Sequence, residues 1–400
     1  MKWISFVALM PLFAQAIPVR DGETFRVQIP GEYIVQQSGK LDKSLNVLKK
    51  ISRNLYLIKT TNEKSVGQKV EKIYPNYEYY GNYLEGEVID DQVHHQMVKT
   101  KQAWQMTRGE SDIVVAVTDN EFELDHDDLK ESWWTNAGEI PDNGIDDDGN
   151  GYVDDVTGWD FVGQDNNVDA GGSTHGTHVS GIIAAQAGNQ LGVAGIAPQT
   201  KIMPLRWYGR ERRWTSALVA ETYRYAVDNG AKIISTSYNI DSLASDQAYL
   251  DAVTYATDNQ VMIFNSAGNS NRKNPARQSV EDIVLVCSVT SKALKDADKK
   301  SRFSNYGTGI DICAPGDPIY SAVQGRTSTG ESRYGNLSGT SMAAPVAAAV
   351  AALIWSADPS LTVEEVKDRL YRSADNIDAK NRRYKGMLGA GRVNAFKALQ

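Results

Sequence analysis

The stretch IVVAVTD, residues 113–119, is an unbroken apolar run rich in β-branched residues that ends in a hydroxyl and a carboxylate. β-Branched side chains favour a strand, and the lack of alternation means that both faces of that strand are covered, as in a parallel sheet. The same form recurs in KIMPLRW (201–207), AKIISTS (231–237), VMIFNSAG (261–268), DIVLVCSV (282–289) and GIDICAPG (309–316). Between these runs, WTSALVAETYRYAVDNG (214–230) and SDQAYLDAVTYATDN (245–259) carry helical spacing. Strands alternating with helices predict an α/β fold: a doubly wound, mostly parallel sheet with helices on both faces. In such sheets ligands gather at the carboxyl ends of the strands, so the polar residues that close each run are the ones to inspect.

Upstream the pattern is different. MKWISFVALMPLFAQAIPVR (1–20) has Lys2, an apolar stretch from Ile4 to Phe13 and the small-x-small triplet Ala14-Gln15-Ala16. It reads as a secretory signal of residues 1–16, which predicts a secreted chain, extracellular or periplasmic. GEYIVQQSG (31–39), KSLNVLKKI (43–51) and NLYLIKT (54–60) predict strand, helix and strand in a small α+β unit of residues 17–90. The tyrosine-rich, acidic YPNYEYYGNYLEGEVIDDQ (74–92) then reads as a connection leading to a larger domain of residues 91–400. The net charge of −8 and the lack of a basic stripe speak against a nucleic-acid partner, and no segment beyond the signal offers a membrane anchor. Cys287 and Cys313 are the only cysteines, too few for a disulfide scaffold; they are either buried thiols or one bridge.

Three polar residues stand where chemistry is expected. Asp119 closes the first strand. His175 lies in GGSTHGTHVSGIIAAQAG (171–188), at the mouth of a helix of small residues. Ser341 heads NLSGTSMAAPVAAAVAALIW (336–355), whose uniformly apolar composition predicts a buried helix starting near Thr340, with Pro345 in its first turn. Each residue has a plain structural reading: turn carboxylate, core histidine, helix cap. Together they supply the orienting acid, base and nucleophile of serine acyl transfer. A zinc pair of His175 with His178 has neither an HExxH pattern nor a third ligand. The chain order Asp, His, Ser excludes the α/β-hydrolase order, because no histidine follows His178, and the chymotrypsin order as well.

VVAVTD (114–119), HGTHVSG (175–181) and GTSMAAP (339–345), in that order, resemble the subtilisin-like serine proteases, or subtilases. The resemblance extends from about Trp104 through GVAGIAPQTKIMPLR (192–206) to GAGRVNAFKAL (389–399). It implies Ser341 as nucleophile, His175 as general base and acid, Asp119 as its orienting partner, and Asn269 in FNSAGNSN (264–271) as oxyanion donor beside the Ser341 amide. It also implies that Ser237, Tyr238 and Asn239, with Ser266, Ala267 and Gly268, bind an extended peptide and line the primary specificity pocket. The chain departs from the family pattern at Asn239, where glycine is usual, and at Asn120 and Glu121, where Ser or Thr and then Gly are usual. The N-terminal unit resembles the inhibitory propeptide of secreted subtilases.

DDDGNGYVDD (146–155) fits the first part of an EF-hand-like calcium loop: Asp146, Asp148 and Asn150 alternate, Gly151 turns, Tyr152 lends a carbonyl and Asp154 stands near the ninth position. Thr157 occupies the place of the bidentate glutamate, so Asp155 or Asp142 is needed to complete the shell. By resemblance, Asp128 and Asn189 match a second calcium site. The expectation is a secreted serine endopeptidase, supported by structural Ca2+ and autoprocessed from a zymogen. It would be a monomer whose partners are protein or peptide substrates and its own propeptide. A subtilase-like binding protein without turnover and a peptide ligase or cyclase are the alternatives.

Overall fold

The computed structural model describes residues 18–21, 24–36, 40, 42–50, 55–70, 72–79, 84–85, 92–169, 172–189, 191–209, 215–238 and 241–400. The expected signal segment 1–16 and Asn239 lie outside them. The chain divides after Gly81 into two compact units. The first holds strands β1 (Pro18–Asp21), β2 (Thr24–Gln36), β3 (Val47–Lys50), β4 (Leu55–Lys59) and β5 (Lys72–Tyr79), with one short helix, α1 (Glu63–Gly67). These strands form one antiparallel sheet ordered β1-β2-β4-β3, with β5 also on β2. The helix expected over 43–51 does not form; Val47–Lys50 is instead an edge strand on β4. A nine-residue helix has little stability of its own, whereas the β4 edge offers every backbone group in reach a partner.

In the second unit the chain runs β6 (Leu84–Glu85), α2 (Val93–Val98), α3 (Thr100–Ala103), β7 (Val114–Asp119), β8 (Trp159–Asp160), α4 (His175–Ala184) and β9 (Lys201–Arg206). It continues α5 (Ser216–Asp228), β10 (Ile233–Thr236), α6 (Gln247–Asp258), β11 (Met262–Ser266), β12 (Ile283–Thr290), β13 (Ile312–Asp317), β14 (Ile319–Arg326) and β15 (Ser332–Ser338). It closes with α7 (Thr340–Ala357), α8 (Val363–Arg372) and α9 (Ala395–Ala398). Seven strands form one parallel sheet ordered β13-β12-β11-β10-β7-β9-β8. β14, β15 and β6 form a small antiparallel sheet.

Both faces of the large sheet are buried, as the unbroken apolar runs require. Val115 and Val117 of β7, Met262 and Phe264 of β11, and Val284 and Val286 of β12 enter one core with the small residues of α4 and α7. Their neighbours Val114, Ala116, Ile263, Ile283 and Leu285 enter the other, beneath α5 and α6. Residue by residue, the strands alternate between two cores. By length and composition α7 could cross a membrane, yet 89% of it is buried inside the protein. Its alanines let the backbone lie close to the sheet. Cys287 and Cys313 are register partners on β12 and β13 and are joined as a disulfide, which settles the open choice between thiols and bridge.

The order of the strands decides where a site can be. From β7 the chain moves outward to β8 and β9, then returns to place β10 on the other side of β7. The reversal leaves a crevice at the carboxyl ends of β7 and β10. Asp119 is the last residue of β7, and Ser237 follows β10.

Candidate active site

α4 brings His175 to that crevice as its first residue, 4% exposed. A Cβ on Gly176 would meet the Glu121 carbonyl oxygen at 2.3 Å, so only glycine lets the helix mouth approach the turn after β7. His175 Nδ1 lies 2.8 Å from both oxygens of Asp119, a carboxylate that is 1% exposed and also accepts the Asn120 N–H at 2.8 Å. The two residues that depart from the family pattern are built into this junction. The Asn120 amide donates to Ser173 Oγ at 2.6 Å, and the Ser173 N–H donates to the Glu121 carboxylate. Arg206, paired with Asp160, lies 4.0 Å from Glu121. These bonds tie the segment before His175 to the segment after Asp119.

α7 brings Ser341. The helix begins at Thr340, so Pro345 is its sixth residue and lies beyond the first turn, where the sequence reading put it. A proline at that place has no N–H to give the carbonyl four residues back, that of Ser341. Ser237 supplies the missing donor: its Oγ donates to the Ser341 carbonyl at 2.9 Å, and Ser341 Oγ donates in return to the Ser237 carbonyl at 3.0 Å.

Asn269 follows β11. Its Oδ1 accepts from the Thr340 N–H and the Thr340 hydroxyl, each at 2.8 Å, which turns Nδ2 away. That Nδ2 is buried and has no hydrogen-bond partner. An orphaned buried donor beside a helix N-terminus is a ready place for a developing negative charge. His178, one turn along α4, is occupied elsewhere: Nε2 lies 3.1 Å from the Ile319 carbonyl, and burial pushes its pKa down to about 3.

The segments expected to hold substrate are tied to one another. Ser266 Oγ donates to the Tyr238 carbonyl at 2.9 Å, and the guanidinium of Arg277 reaches the carbonyls of Tyr238 at 3.1 Å and Ser266 at 2.7 Å. Ala267 spends its N–H on Val286 and its carbonyl on Asn305, and the Gly268 N–H goes to Thr340 Oγ1. Ser266, Ala267 and Gly268 therefore brace the cleft more than they offer backbone groups to a ligand. Arg277 is fully buried, and nothing in NPARQS (274–279) distinguishes it from a solvated turn residue.

The acidic loop gathers carboxylates, though not all those expected. Oxygens of Glu139, Asp148 and Asp155 lie within 4.8 Å of one another. Asn136 bridges Asp148 and Asp155 at 2.9 and 2.8 Å, Asn150 bridges them from the other side, and the Tyr225 hydroxyl donates to Asp155. Asp146 spends its carboxylate on the N–H groups of Asn150 and Gly151, and Asp154 on those of Asn143 and Gly144. Tyr152 turns its ring to Trp159, Phe161 and Tyr225. Three clustered carboxylates are a donor set of the kind hard divalent cations take. Asn136 and Asn150, however, turn their amide nitrogens to it and spend their oxygens on the Gly138 and Tyr152 N–H groups, and Glu139 accepts from the N–H groups of Asp147, Asp148 and Asp154. Glu139 lies upstream of the loop spacing and carries no motif of its own. Asp128 and Asn189 do meet, by a direct hydrogen bond of 2.6 Å, and the Val193 N–H takes the other Asp128 oxygen.

The subtilase family model matches residues 110–391. The chain belongs to the subtilase family. This subtilase is 31% identical over 380 residues to a thermophilic serine proteinase of Bacillus sp. (strain AK1), covering 92% of this chain and 81% of the relative. It is 33% identical over 305 residues to thermitase of Thermoactinomyces vulgaris, covering 76% and 94%. Among solved structures, a protease of Pseudoalteromonas arctica PAMC 21717 superposes with a TM-score of 0.61 at 26% identity, over 78% of this chain and 97% of the other. The parallel seven-stranded sheet is that of the superposed protease, and the family match and relatives place the chain among the subtilisin-like serine proteases.

Proposed function

We propose that this subtilase is a secreted endopeptidase that hydrolyses protein substrates through an acyl-enzyme on Ser341. The observation that carries the reading is the His175 imidazole seated on both oxygens of Asp119, in the same crevice as a helix-borne Ser341 and the unpartnered Nδ2 of Asn269. Ser341 Oγ attacks the scissile carbonyl carbon and its proton passes to His175 Nε2, while Asp119 holds the ring and stabilises its charged form. The developing alkoxide takes hydrogen bonds from Asn269 Nδ2 and the Ser341 N–H. As the C–N bond breaks, His175 returns the proton to the departing amine. Water then gives its proton to His175 and attacks the acyl ester, which releases the acid and restores the Ser341 hydroxyl.

Ser237 and Tyr238, the segment that follows β10, would pair with an extended peptide, braced by Ser266, Ala267 and Gly268. Glu139, Asp148 and Asp155 would hold Ca2+, with Asn136, Asn150 and Tyr225 around them. The ion would neutralise the carboxylates and join the loop to α5 through Tyr225. Residues 1–16 are read as a signal and 17–90 as an inhibitory propeptide removed by the catalytic domain itself. The test is the intact mass of the purified chain with and without Ser341→Ala. Loss of the N-terminal region from the parent alone, with labelling of Ser341 by a serine-directed phosphonate, is the expected result. A parent that stays full length and fails to label would refute the reading.

A further inference from the structure

Tyr208 stands two residues beyond β9, at the rim of the crevice. Its ring is half-buried and lies edge-on to Trp207 at 5.0 Å between centroids; Trp207, 1% exposed, lies edge-on to Tyr238 at 5.2 Å. The Tyr208 hydroxyl donates to Asp119 Oδ1 at 3.3 Å. The same oxygen receives the Asn120 N–H and faces His175 Nδ1, while Oδ2 faces His175 Nδ1 alone among these donors. The terminal torsion of an aspartate is soft, so the donors around its oxygens set the plane of the carboxylate.

We propose that Tyr208 is a positioning residue of the triad: its hydroxyl, fixed by the packing of its ring on Trp207, holds the Asp119 carboxylate in the plane that receives the His175 imidazole. The proposal rests on the reading of Asp119, His175 and Ser341 as the reacting group. A neighbouring donor also spreads the negative charge of Asp119 and so weakens its hold on an imidazolium. Among the described residues, charged and titratable groups near the pair include Glu121 after β7, Arg206 of β9 with Asp160 of β8, and His178 of α4. None of them is changed by removing one hydroxyl.

Tyr208→Phe keeps the ring against Trp207 and deletes only the donor. We would measure kcat and KM on a neutral peptide substrate from pH 5 to 10, with active sites counted by a serine-directed phosphonate so that only folded enzyme enters the rates. The expected result is a plateau of kcat lowered by about three- to tenfold, the range for one lost hydrogen bond, with KM changed by less than about twofold. The acid limb of the kcat/KM profile should move up by about 0.3 to 0.5 pH unit as the unshared charge of Asp119 holds the imidazolium more firmly. A profile superimposed on that of the parent at the same plateau would overturn the proposal, as would a loss carried wholly by KM. A parent that neither labels nor turns over would remove the triad reading first, and this proposal with it.

Discussion

Pro345 and Ser237 should be energetically coupled although they do not share a bond. Ser341 has a carbonyl that the helix cannot satisfy, because residue 345 has no N–H, and the Ser237 hydroxyl takes its place at 2.9 Å in a buried setting. Ser237→Ala leaves that carbonyl without its donor, at a cost of about 1–3 kcal/mol for an unsatisfied buried acceptor. In a Pro345→Ala background the new N–H can close the ordinary helical bond to Ser341, and the same Ser237→Ala change should then cost less than about 1 kcal/mol. The double-mutant cycle should therefore show a coupling of about 1–2 kcal/mol. The separate effect of proline on the unfolded chain cancels around the cycle. Equilibrium unfolding in urea is the assay, with all four proteins carrying Ser341→Ala to prevent self-digestion; that change leaves the backbone carbonyl in place. Additivity within about 0.3–0.5 kcal/mol would refute the argument.

Asn269→Ala should lower kcat by about 10²–10³, the usual effect of losing one oxyanion donor, with little change in KM; steady-state kinetics on a peptide ester measures it, and a tenfold or smaller loss would count against the donor role. Glu139→Gln should remove most of the rise in thermal midpoint that calcium gives the parent over a chelated sample, since a bound ion stabilises by mass action; an unchanged rise would place the ion elsewhere. Burial holds His95 at about 4 and His178 at about 3, both below their ordinary value of 6.5, and burial also lowers His94. Their contribution to stability is complete above pH 6.5 and is lost as the pH falls from there toward their folded values, because the unfolded chain then binds the protons. At pH 5 the loss is about 2 kcal/mol for His95 and for His178, partly offset by about 1 kcal/mol from Asp311, which burial raises to about 6. Urea unfolding at pH 7 and pH 5 measures the difference, and equal stability at both would contradict it.

Six of the seven strands of the central sheet were legible because their runs are apolar enough to require cover on both faces, and Val114 to Val117 divide between two cores as that pattern demands; the edge strand β8, only Trp159–Asp160, carries no such run. Asp119, His175 and Ser341 stood out only together, in the order of VVAVTD, HGTHVSG and GTSMAAP; taken singly, a carboxylate ending a strand or a polar residue at a helix mouth has an ordinary structural reading. Local pattern failed where the partner is distant in sequence. Val47–Lys50 is a strand because β4 is beside it, and the Ser341 carbonyl that Pro345 leaves without a donor is met by Ser237, 104 residues away from Ser341. Glu139 and Arg277 lie on turns whose composition suggests solvent; only the folded chain encloses them with Asp148 and Asp155, or under Tyr238. Asn120 and Glu121, read as departures from a pattern, bond to Ser173, which no spacing rule connects to them.

The order of the strands also imposes a timetable. His175 meets Asp119 across 56 residues, Thr340 meets Asn269 across 71, and Ser341 meets Ser237 across 104. The serine comes last, on a helix that must insert against a sheet already made from everything before it. A chain still emerging at about 5–20 residues per second has the acid and the histidine for many seconds before it has the serine. Contacts of such long range also form late in folding. On the proposed mechanism an unfinished copy of this protein lacks its nucleophile, so it can be cut but cannot cut until α7 has been made.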